Sequence, residues 1–284
     1  VFVPSTRLLE SPLRRVVPRP LRHAARALAG YPDTHRLAAD WRSFLELRRL
    51  QNPSERLISS GRPVKVRFRG LGGAPVSLRP GTQDDSLAHD VFFKSHHLPP
   101  SSIPAHELRV VWDLGANAGL TMAHMAKLLP EARIVGVELD EQNLLLCRSN
   151  MAAWGERCEV IHAAVWVADG TVAYERPAGQ EQSFHVSADP LPETADRANG
   201  SAPAISLDTL LERTGSPVDY VKMDIEGAEM QVLKQSTSWA EHVRSIKVEV
   251  HAPYTVEQCA TDLRRLGFRT EPIAKRRGGV LGIR

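Results

Sequence analysis

An apolar run that meets an acid and then two glycines four residues apart leaves a backbone few choices. The chain has one such stretch, Val110-Val-Trp-Asp113-Leu-Gly115-Ala116-Asn117-Ala-Gly119. It reads as a strand over 109–113, a tight turn, and a helix over 119–129. Glycine lets the chain turn sharply and lets a ligand approach with no Cβ in the way. Strand, turn and helix start together form the place where an open α/β sheet holds a nucleotide-like ligand. A dinucleotide site asks for Gly-x-Gly-x-x-Gly, which brings amides onto a pyrophosphate. Here the pattern is Asp-x-Gly-x-x-x-Gly, and a leading carboxylate suits a cationic or amino-bearing ligand better.

The rest of the chain repeats that alternation. Strand-like runs fall at 133–138, 158–165, 218–224, 245–250, 267–273 and 279–284, and helix-like runs at 141–153, 206–214, 228–236 and 255–266. This is the signature of a mostly parallel sheet with helices on both faces. Residues 174–204, rich in Pro, Gly, Ser and Ala with Phe184 as the one strong apolar residue, break the pattern and are expected to form a substrate loop. Upstream, residues 5–30 mix Pro12, Pro18 and Pro20 with Arg-rich helix. Residues 33–51 place Leu37, Trp41, Phe44, Leu45, Leu47 and Leu50 near helical spacing, and Pro53 follows. Val64, Val66 and Phe68 alternate with Lys65, Arg67 and Arg69 as a half-buried strand, which turns at 70–75 into a partner around 76–78. The expected organisation is a basic helical extension over 1–60, a β-hairpin and cap over 61–106, and the ligand-binding domain over 107–284.

Composition bounds the function. With 42% hydrophobic and 24% charged residues in 284, the chain can bury one large α/β core. No apolar run approaches the roughly 20 residues of a membrane span. Cys147, Cys158 and Cys259 are odd in number and widely spaced, so free thiols in a reducing cytoplasm are expected. The net charge of +3 hides an asymmetry: residues 1–80 carry 16 Lys/Arg against 5 Asp/Glu, and the remainder 20 against 28. The excess is Arg scattered over amphipathic segments, not a Lys-rich block with interleaved aromatics. That favours a solvated or self-packing face over nucleic-acid binding. Arg-rich residues 7–49 can also pair subunits.

Acids then gather at strand ends. Glu138 closes the second strand about 20 residues beyond the glycine turn, where such folds place a carboxylate that accepts from both ribose hydroxyls. Asp224 closes the strand before Glu226, Gly227 and Glu229, and Glu249 and His251 end the next. The carboxyl ends of parallel strands border the ligand crevice, and acids converging there are costly unless a ligand or metal uses them. Asp224, Glu249 and His251 can together ligate a divalent cation, but their spacing is not a compact metal motif, and no metal is assigned.

The glycine turn resembles motif I of the class I S-adenosyl-L-methionine methyltransferases. A more discriminating likeness lies downstream. Ser206-Leu-Asp208-Thr-Leu, then Val221-Lys222-Met-Asp224-Ile-Glu226-Gly227-Ala-Glu229, then Val248-Glu249-Val-His251 resemble the FkbM family of S-adenosylmethionine-dependent methyltransferases. The family's hallmark runs Leu-Asp-x-Leu, Lys-Ile-Asp-x-Glu-Gly-x-Glu and Val-Glu-x-His. Leu78-Arg79-Pro80-Gly81-Thr82-Gln-Asp84 resembles its opening motif, and the likeness covers about residues 76–273. Leu139 stands where relatives usually carry Pro.

The resemblance implies a class I methyltransferase fold, a Rossmann-like doubly wound sheet, here with an N-terminal helical and β extension. It implies S-adenosyl-L-methionine as cofactor and transfer to an oxygen of a hydroxylated small molecule, a polyketide or sugar. Cofactor contacts are expected from Asp113, Gly115, Ala116, Asn117, Gly119, Glu138, Leu139, Ala164, Val165 and Asp224. Methyl transfer is an in-line displacement that needs the acceptor oxygen about 3–3.5 Å from the methyl carbon, and an alcohol also loses a proton. His251 is the first candidate base, since neutral imidazole titrates near physiological pH; Asp224, Glu226 and Glu249 complete the catalytic set. Lys222 can pair with an acid, and His96 and His97 are expected at the surface. The alternatives are N-methylation of a small-molecule amine, and a non-catalytic methyltransferase-like interaction module. The absence of an Asn/Asp-Pro-Pro-Tyr-type motif weighs against methylation of a nucleic-acid base.

Overall fold

The computed structural model describes residues 31–51, 61–176, 185–187, 198–215, 217–235, 237–273 and 278–284. Its elements in chain order are α1 (Tyr31–Leu37), α2 (Trp41–Gln51), β1 (Val64–Arg67), β2 (Pro75–Leu78), α3 (Asp84–His89), β3 (Val110–Leu114), α4 (Leu120–Leu128), β4 (Arg133–Glu138), α5 (Glu141–Met151), β5 (Cys158–His162) and β6 (Ala164–Val165). There follow β7 (Gly170–Arg176), β8 (His185–Ser187), β9 (Ala198–Ile205), α6 (Leu207–Thr214), β10 (Tyr220–Met223), α7 (Glu229–Gln235), β11 (Ser245–Glu249), α8 (Val256–Arg265), β12 (Arg269–Ile273) and β13 (Gly279–Ile283).

Seven strands form the central sheet in the order β12-β13-β11-β10-β3-β4-β5. Strands β5, β4, β3, β10 and β11 are parallel, and β13 enters antiparallel between β11 and β12. Chain order runs one way from β3 through β4 to β5, and the other way from β10 to β11. The reversal falls between β3 and β10, and a ligand crevice opens at the carboxyl ends of strands that part in this way. This is the doubly wound sheet expected.

Strand periodicity sorts the core into two layers. Val111, Ile134 and Tyr220 face α4, α5 and the N-terminal elements, alongside Leu120, Met122, Leu144 and Cys147. Trp112, Val135 and Val221 face the other way, onto Leu210, Val232 and Leu263 of α6, α7 and α8. Leu47, Leu50, Phe68 and Leu78 belong to the first layer. The described part of the extension, residues 31–51, and the hairpin therefore pack into the domain core. Helices end as their sequences dictate: the side chains of Asp140, Ser206 and Thr255 cap α5, α6 and α8 by accepting from the amide three residues on.

Four expectations need correction. The helix expected over 33–51 divides, because Asp40 accepts from the Ser43 amide at 2.8 Å and starts a new helix, while Ala38 bridges to Phe68. Trp41 and Leu45 then stand exposed while Leu47 and Leu50 are buried. The strand expected over 158–165 splits at Ala163 into β5 and β6, which join different sheets. Residues 174–204 do not form one loop: β7, β8 and β9 build a second sheet with β6, in the order β6-β9-β7-β8. The small residues that read as loop have a packing reason, since a Cβ on Gly200 would lie 2.5 Å from the Tyr174 ring. His97 is buried rather than at the surface, with its Nε2 3.2 Å from Nδ1 of His124. Phe184, Pro53 and the 5–30 segment lie outside the described residues. All three cysteines are free, Cys147 and Cys259 buried and Cys158 partly so. Among the described residues no helix is long and apolar enough to cross a membrane.

Candidate functional site

The crevice is a cavity of about 650 Å³ at the sheet's switch point. Its first wall is the β3–α4 turn. Gly115 and Gly119 both have φ +80°, and Asn117 φ +49°, so three left-handed residues fold five positions into a loop. Gly115 is there for a second reason: a Cβ at this position would sit 1.9 Å from the carbonyl oxygen of Asp224. The ends of β3 and β10 therefore touch where the chain order reverses. At Gly119 a Cβ would meet the Cys147 sulfur at 2.7 Å, which lets α5 pack against the start of α4.

Glu138 ends β4 and is 5% exposed. Its Oε2 accepts from the Asn117 amide at 2.7 Å. Oε1 accepts from the Asp140 amide at 2.9 Å and from Asn143 Nδ2 at 3.3 Å. Burial holds this carboxyl above the ordinary glutamate range, and the three donors partly offset that. Leu139, Ala164 and Val165 continue the wall.

The second wall is acidic. Asp224 and Ile225 lead into a turn in which Glu226 has φ +52°. The turn is organised by Glu229, fully buried, whose Oε1 accepts from the Ile225 amide at 3.1 Å and whose Oε2 accepts from the Gly227 amide at 2.9 Å. Oε1 also lies 2.8 Å from Nδ1 of His251. The other imidazole nitrogen, Nε2, is 3.5 Å from Glu226 Oε2 and 3.7 Å from Asp224 Oδ1. Burial opposes a charge on this ring, but the Glu229 hydrogen bond and the Asp224 and Glu226 carboxylates outweigh it, and its pKa is raised to about 9. This corrects the expectation of a neutral imidazole base. At neutral pH His251 is an imidazolium held behind the acids, and it does not line the cavity.

Lys222 joins the two walls. Its Nζ donates to the Gly115 carbonyl at 2.9 Å and lies 3.0 Å from Asp113 Oδ1 and 3.6 Å from Asp224 Oδ2. Burial opposes its charge, yet Asp113 and Asp224 keep its pKa above the usual lysine range. Asp113, fully buried, also accepts from the Thr121 hydroxyl. Asp113 and Gly119, expected as direct contacts, thus stand behind the wall: one anchors Lys222, the other seats α5. Gly115, Ala116, Asn117, Glu138, Leu139, Ala164, Val165, Asp224, Glu226 and Glu249 all face the cavity. Sequence reasoning missed Asn143. The signal was present, since an Asn three residues past a capping Asp sits one turn above the strand end.

Asp224, Glu249 and His251 each offer one ligand atom, all within 4.8 Å of one another. These are the residues that can hold a divalent cation. Asp224 already faces Lys222 Nζ at 3.6 Å through Oδ2 and His251 Nε2 at 3.7 Å through Oδ1.

The glutamate-linked imidazolium yields a pH prediction. A raised folded-state pKa contributes stability that is complete below the free value of about 6.5 and is lost as pH climbs through about 9. The His251 ring resonance followed by NMR should titrate near 9, and Glu229→Gln should bring the midpoint down toward about 6.5. A wild-type midpoint already at the free value would mean that the carboxylates do not hold the proton.

Residues 113–270 match the model of the methyltransferase FkbM domain. No curated protein matches the chain. Among solved structures the chain is similar to a precorrin-6y C5,15-methyltransferase from Geobacter metallireducens, at 15% identity over 63% of this chain and 81% of that one, with a TM-score of 0.37. It is similar to fibrillarin from Aeropyrum pernix in complex with S-adenosyl-L-methionine, at 13% identity over 63% and 67%, with a TM-score of 0.38. The mitomycin 7-O-methyltransferase matches at 10% identity over 64% and 50%, with a TM-score of 0.37.

Proposed function

Because this chain belongs to the FkbM methyltransferase family, we propose that it moves the methyl group of S-adenosyl-L-methionine onto a hydroxyl of a natural-product or sugar-containing small molecule. The cofactor supplies an electrophilic methyl on a sulfonium; the chain supplies the binding groups and the charge around it. In this reading Glu138 holds the ribose, Leu139, Ala164 and Val165 flank the adenine, and Gly115, Ala116 and Asn117 cradle the methionine end. Asp113 and Gly119 keep the turn in shape from behind, and Lys222, itself on the cavity wall, ties the turn to Asp224.

The observation that carries the proposal is that three carboxylates, Asp224, Glu226 and Glu249, stand on the same cavity as the glycine turn and Glu138. They can orient a hydroxyl by accepting its hydrogen bond and can take its proton, and a positioned base is worth about 10²–10⁴-fold. Asp224 is assigned that role, flanked by Lys222 on one oxygen and His251 on the other. No Phe, Trp or Tyr is among the described residues lining the cavity. A wall of Gln83, Ser86, Asp90 and Lys94 suits an aliphatic polyol over a stacked aromatic ring. Lys222 already places an ammonium 3.6 Å from Asp224 Oδ2, and the transfer is assigned no metal.

The test starts with S-adenosylhomocysteine binding by calorimetry, followed by transfer of labelled methyl to panels of hydroxylated and amine acceptors. Hydroxylated acceptors should be labelled at oxygen, and a chelator should leave the rate unchanged. Asp224→Asn should lower kcat by about 10²–10⁴-fold and keep product affinity within about tenfold of wild type. Labelling only at amine nitrogen would defeat the oxygen assignment. A folded wild type that binds no S-adenosylhomocysteine would defeat the cofactor site itself.

A further inference from the structure

The Leu78–Asp84 stretch stands out in the sequence but, apart from Gln83 on the cavity wall, has no part in the chemistry above. Its structure gives it one. Arg79 is mostly buried, and its guanidinium grips Asp84 at two points, Nε to Oδ2 at 3.0 Å and Nη2 to Oδ1 at 2.9 Å. The Arg79 amide also donates to Asp84 Oδ2, at 2.8 Å. The remaining nitrogen, Nη1, donates to Asn143 Oδ1 at 2.6 Å. That bond fixes the orientation of the Asn143 amide, since its oxygen is taken and its Nδ2 must point at Glu138 Oε1, 3.3 Å away. Nη2 reaches Asn117 Oδ1 at 3.5 Å, and the Asn117 amide holds the other Glu138 oxygen at 2.7 Å. Both oxygens of Glu138 are therefore one residue removed from a single guanidinium.

The other end of this chain of contacts is helical. Asp84, fully buried, opens α3, which runs on as a wider turn through Lys94. Ser86, Leu87, Asp90, Val91 and Lys94 on this segment line the cavity. Arg79 thus bridges Glu138 and the helix that faces the rest of the crevice.

We propose that Arg79 is a positioning residue that couples occupancy of the cofactor site to the order of the 84–94 wall, so that the acceptor surface is set by bound cofactor. The proposal rests on the reading that Glu138 holds the ribose. A ribose on Glu138 favours the arrangement of Asn143 and Asn117 seen here. That arrangement presents two acceptors to Arg79 and steadies its fork on Asp84. A Lys cannot reproduce the link, because an ammonium lacks the planar fork that spans Asp84 and Asn143 together. Binding energy spent at one end thereby reduces local opening at the other.

The test uses S-adenosylhomocysteine as the probe and hydrogen exchange of backbone amides as the readout, with Kd from calorimetry. In the wild type, saturating probe should slow exchange both in 115–119 and across 84–94. In Arg79→Lys the probe should bind about tenfold or more weakly, within the range of ordinary coupling. At saturation it should still protect 115–119 while leaving 84–94 exchanging as in the free protein. Asn143→Ala cuts the shorter of the two branches and leaves the Arg79–Asp84 pair and the longer Asn117 branch whole, so it should markedly reduce the protection of 84–94 by the probe even if the Arg79 variant folds poorly. A merely structural Arg79 would lower the melting temperature and preserve the response of 84–94 to the probe. Full protection of 84–94 in probe-saturated Arg79→Lys and Asn143→Ala would overturn the proposal. A wild type that does not bind the probe would remove the role of Glu138, and this coupling with it.

Discussion

Gly115→Ala should cost the protein its cofactor site and much of its stability. The added methyl would lie 1.9 Å from the Asp224 carbonyl oxygen and 2.9 Å from its carbon. Both are backbone atoms at a strand end and cannot rotate away. The residue must also hold φ +80°, where an L side chain is strained. Strain of this kind costs about 1–3 kcal/mol, and forcing apart a packed contact adds about 1–3 more. A total of roughly 2–6 kcal/mol corresponds to a fall in melting temperature on the order of 5–20 °C for a chain of this size. Gly73→Ala is the control, because it has φ +83° but nothing within 4 Å of the new Cβ. It should show the conformational cost alone, about 1–2 kcal/mol, and bind S-adenosylhomocysteine as the wild type does. Equal melting temperatures for the two variants would mean that the β3 and β10 ends do not meet as closely as described.

Glu138→Ala should abolish micromolar binding of S-adenosylmethionine while leaving a folded protein. Two ribose hydroxyls on one carboxylate are hydrogen bonds to a charged group, each worth about 1.5–3 kcal/mol. At 1.4 kcal/mol per tenfold, losing both weakens binding by about 10²-fold or more. The truncation also strands the amides of Asn117 and Asp140 and the side chain of Asn143, which now donate to Glu138, so part of the loss is disorder in the glycine turn. Glu138→Gln separates these contributions. It keeps one acceptor oxygen and the packing, and should fall between wild type and Ala in calorimetry. Wild-type affinity in the Ala variant would move the ribose elsewhere in the cavity.

The features legible in the sequence were those set by local pattern. The alternation of apolar runs gave the parallel strands, and strand ends carrying acids gave one edge of the sheet, so Glu138, Asp224, Glu226 and Glu249 all face the cavity. Pattern does not tell a residue that touches a ligand from one that holds it from behind. Asp113 and His251 share motifs with wall residues but are turned inward, because each satisfies a partner on another element, Lys222 and Glu229, while Gly119 sits where any Cβ would strike Cys147. The charge on His251 was illegible for the same reason, since its nearest acids, Glu229, Glu226 and Asp224, lie on the turn after β10 and on α7 and not on its own strand. The sheet of β6 to β9 was hidden by composition. Ala198–Ile205 has weak strand propensity, and its pairing depends on β7 and on the Tyr174 ring above Gly200.

The order of strands at the sheet's far edge bears on how this protein can be cut for expression. The family match ends at residue 270, but β13 begins at Gly279 and lies between β11 and β12. A fragment ending at 270 would leave β11, the strand that delivers Glu249, with an open row of amides and carbonyls, a template for pairing with another chain. A fragment starting at 113 would bare the α4 and α5 surface that Leu47, Leu50, Phe68 and Leu78 cover. The stretch that matches the family is thus shorter than the unit whose sheet edge and core are covered. Recombinant fragments should keep both the helices before residue 52 and the final strand.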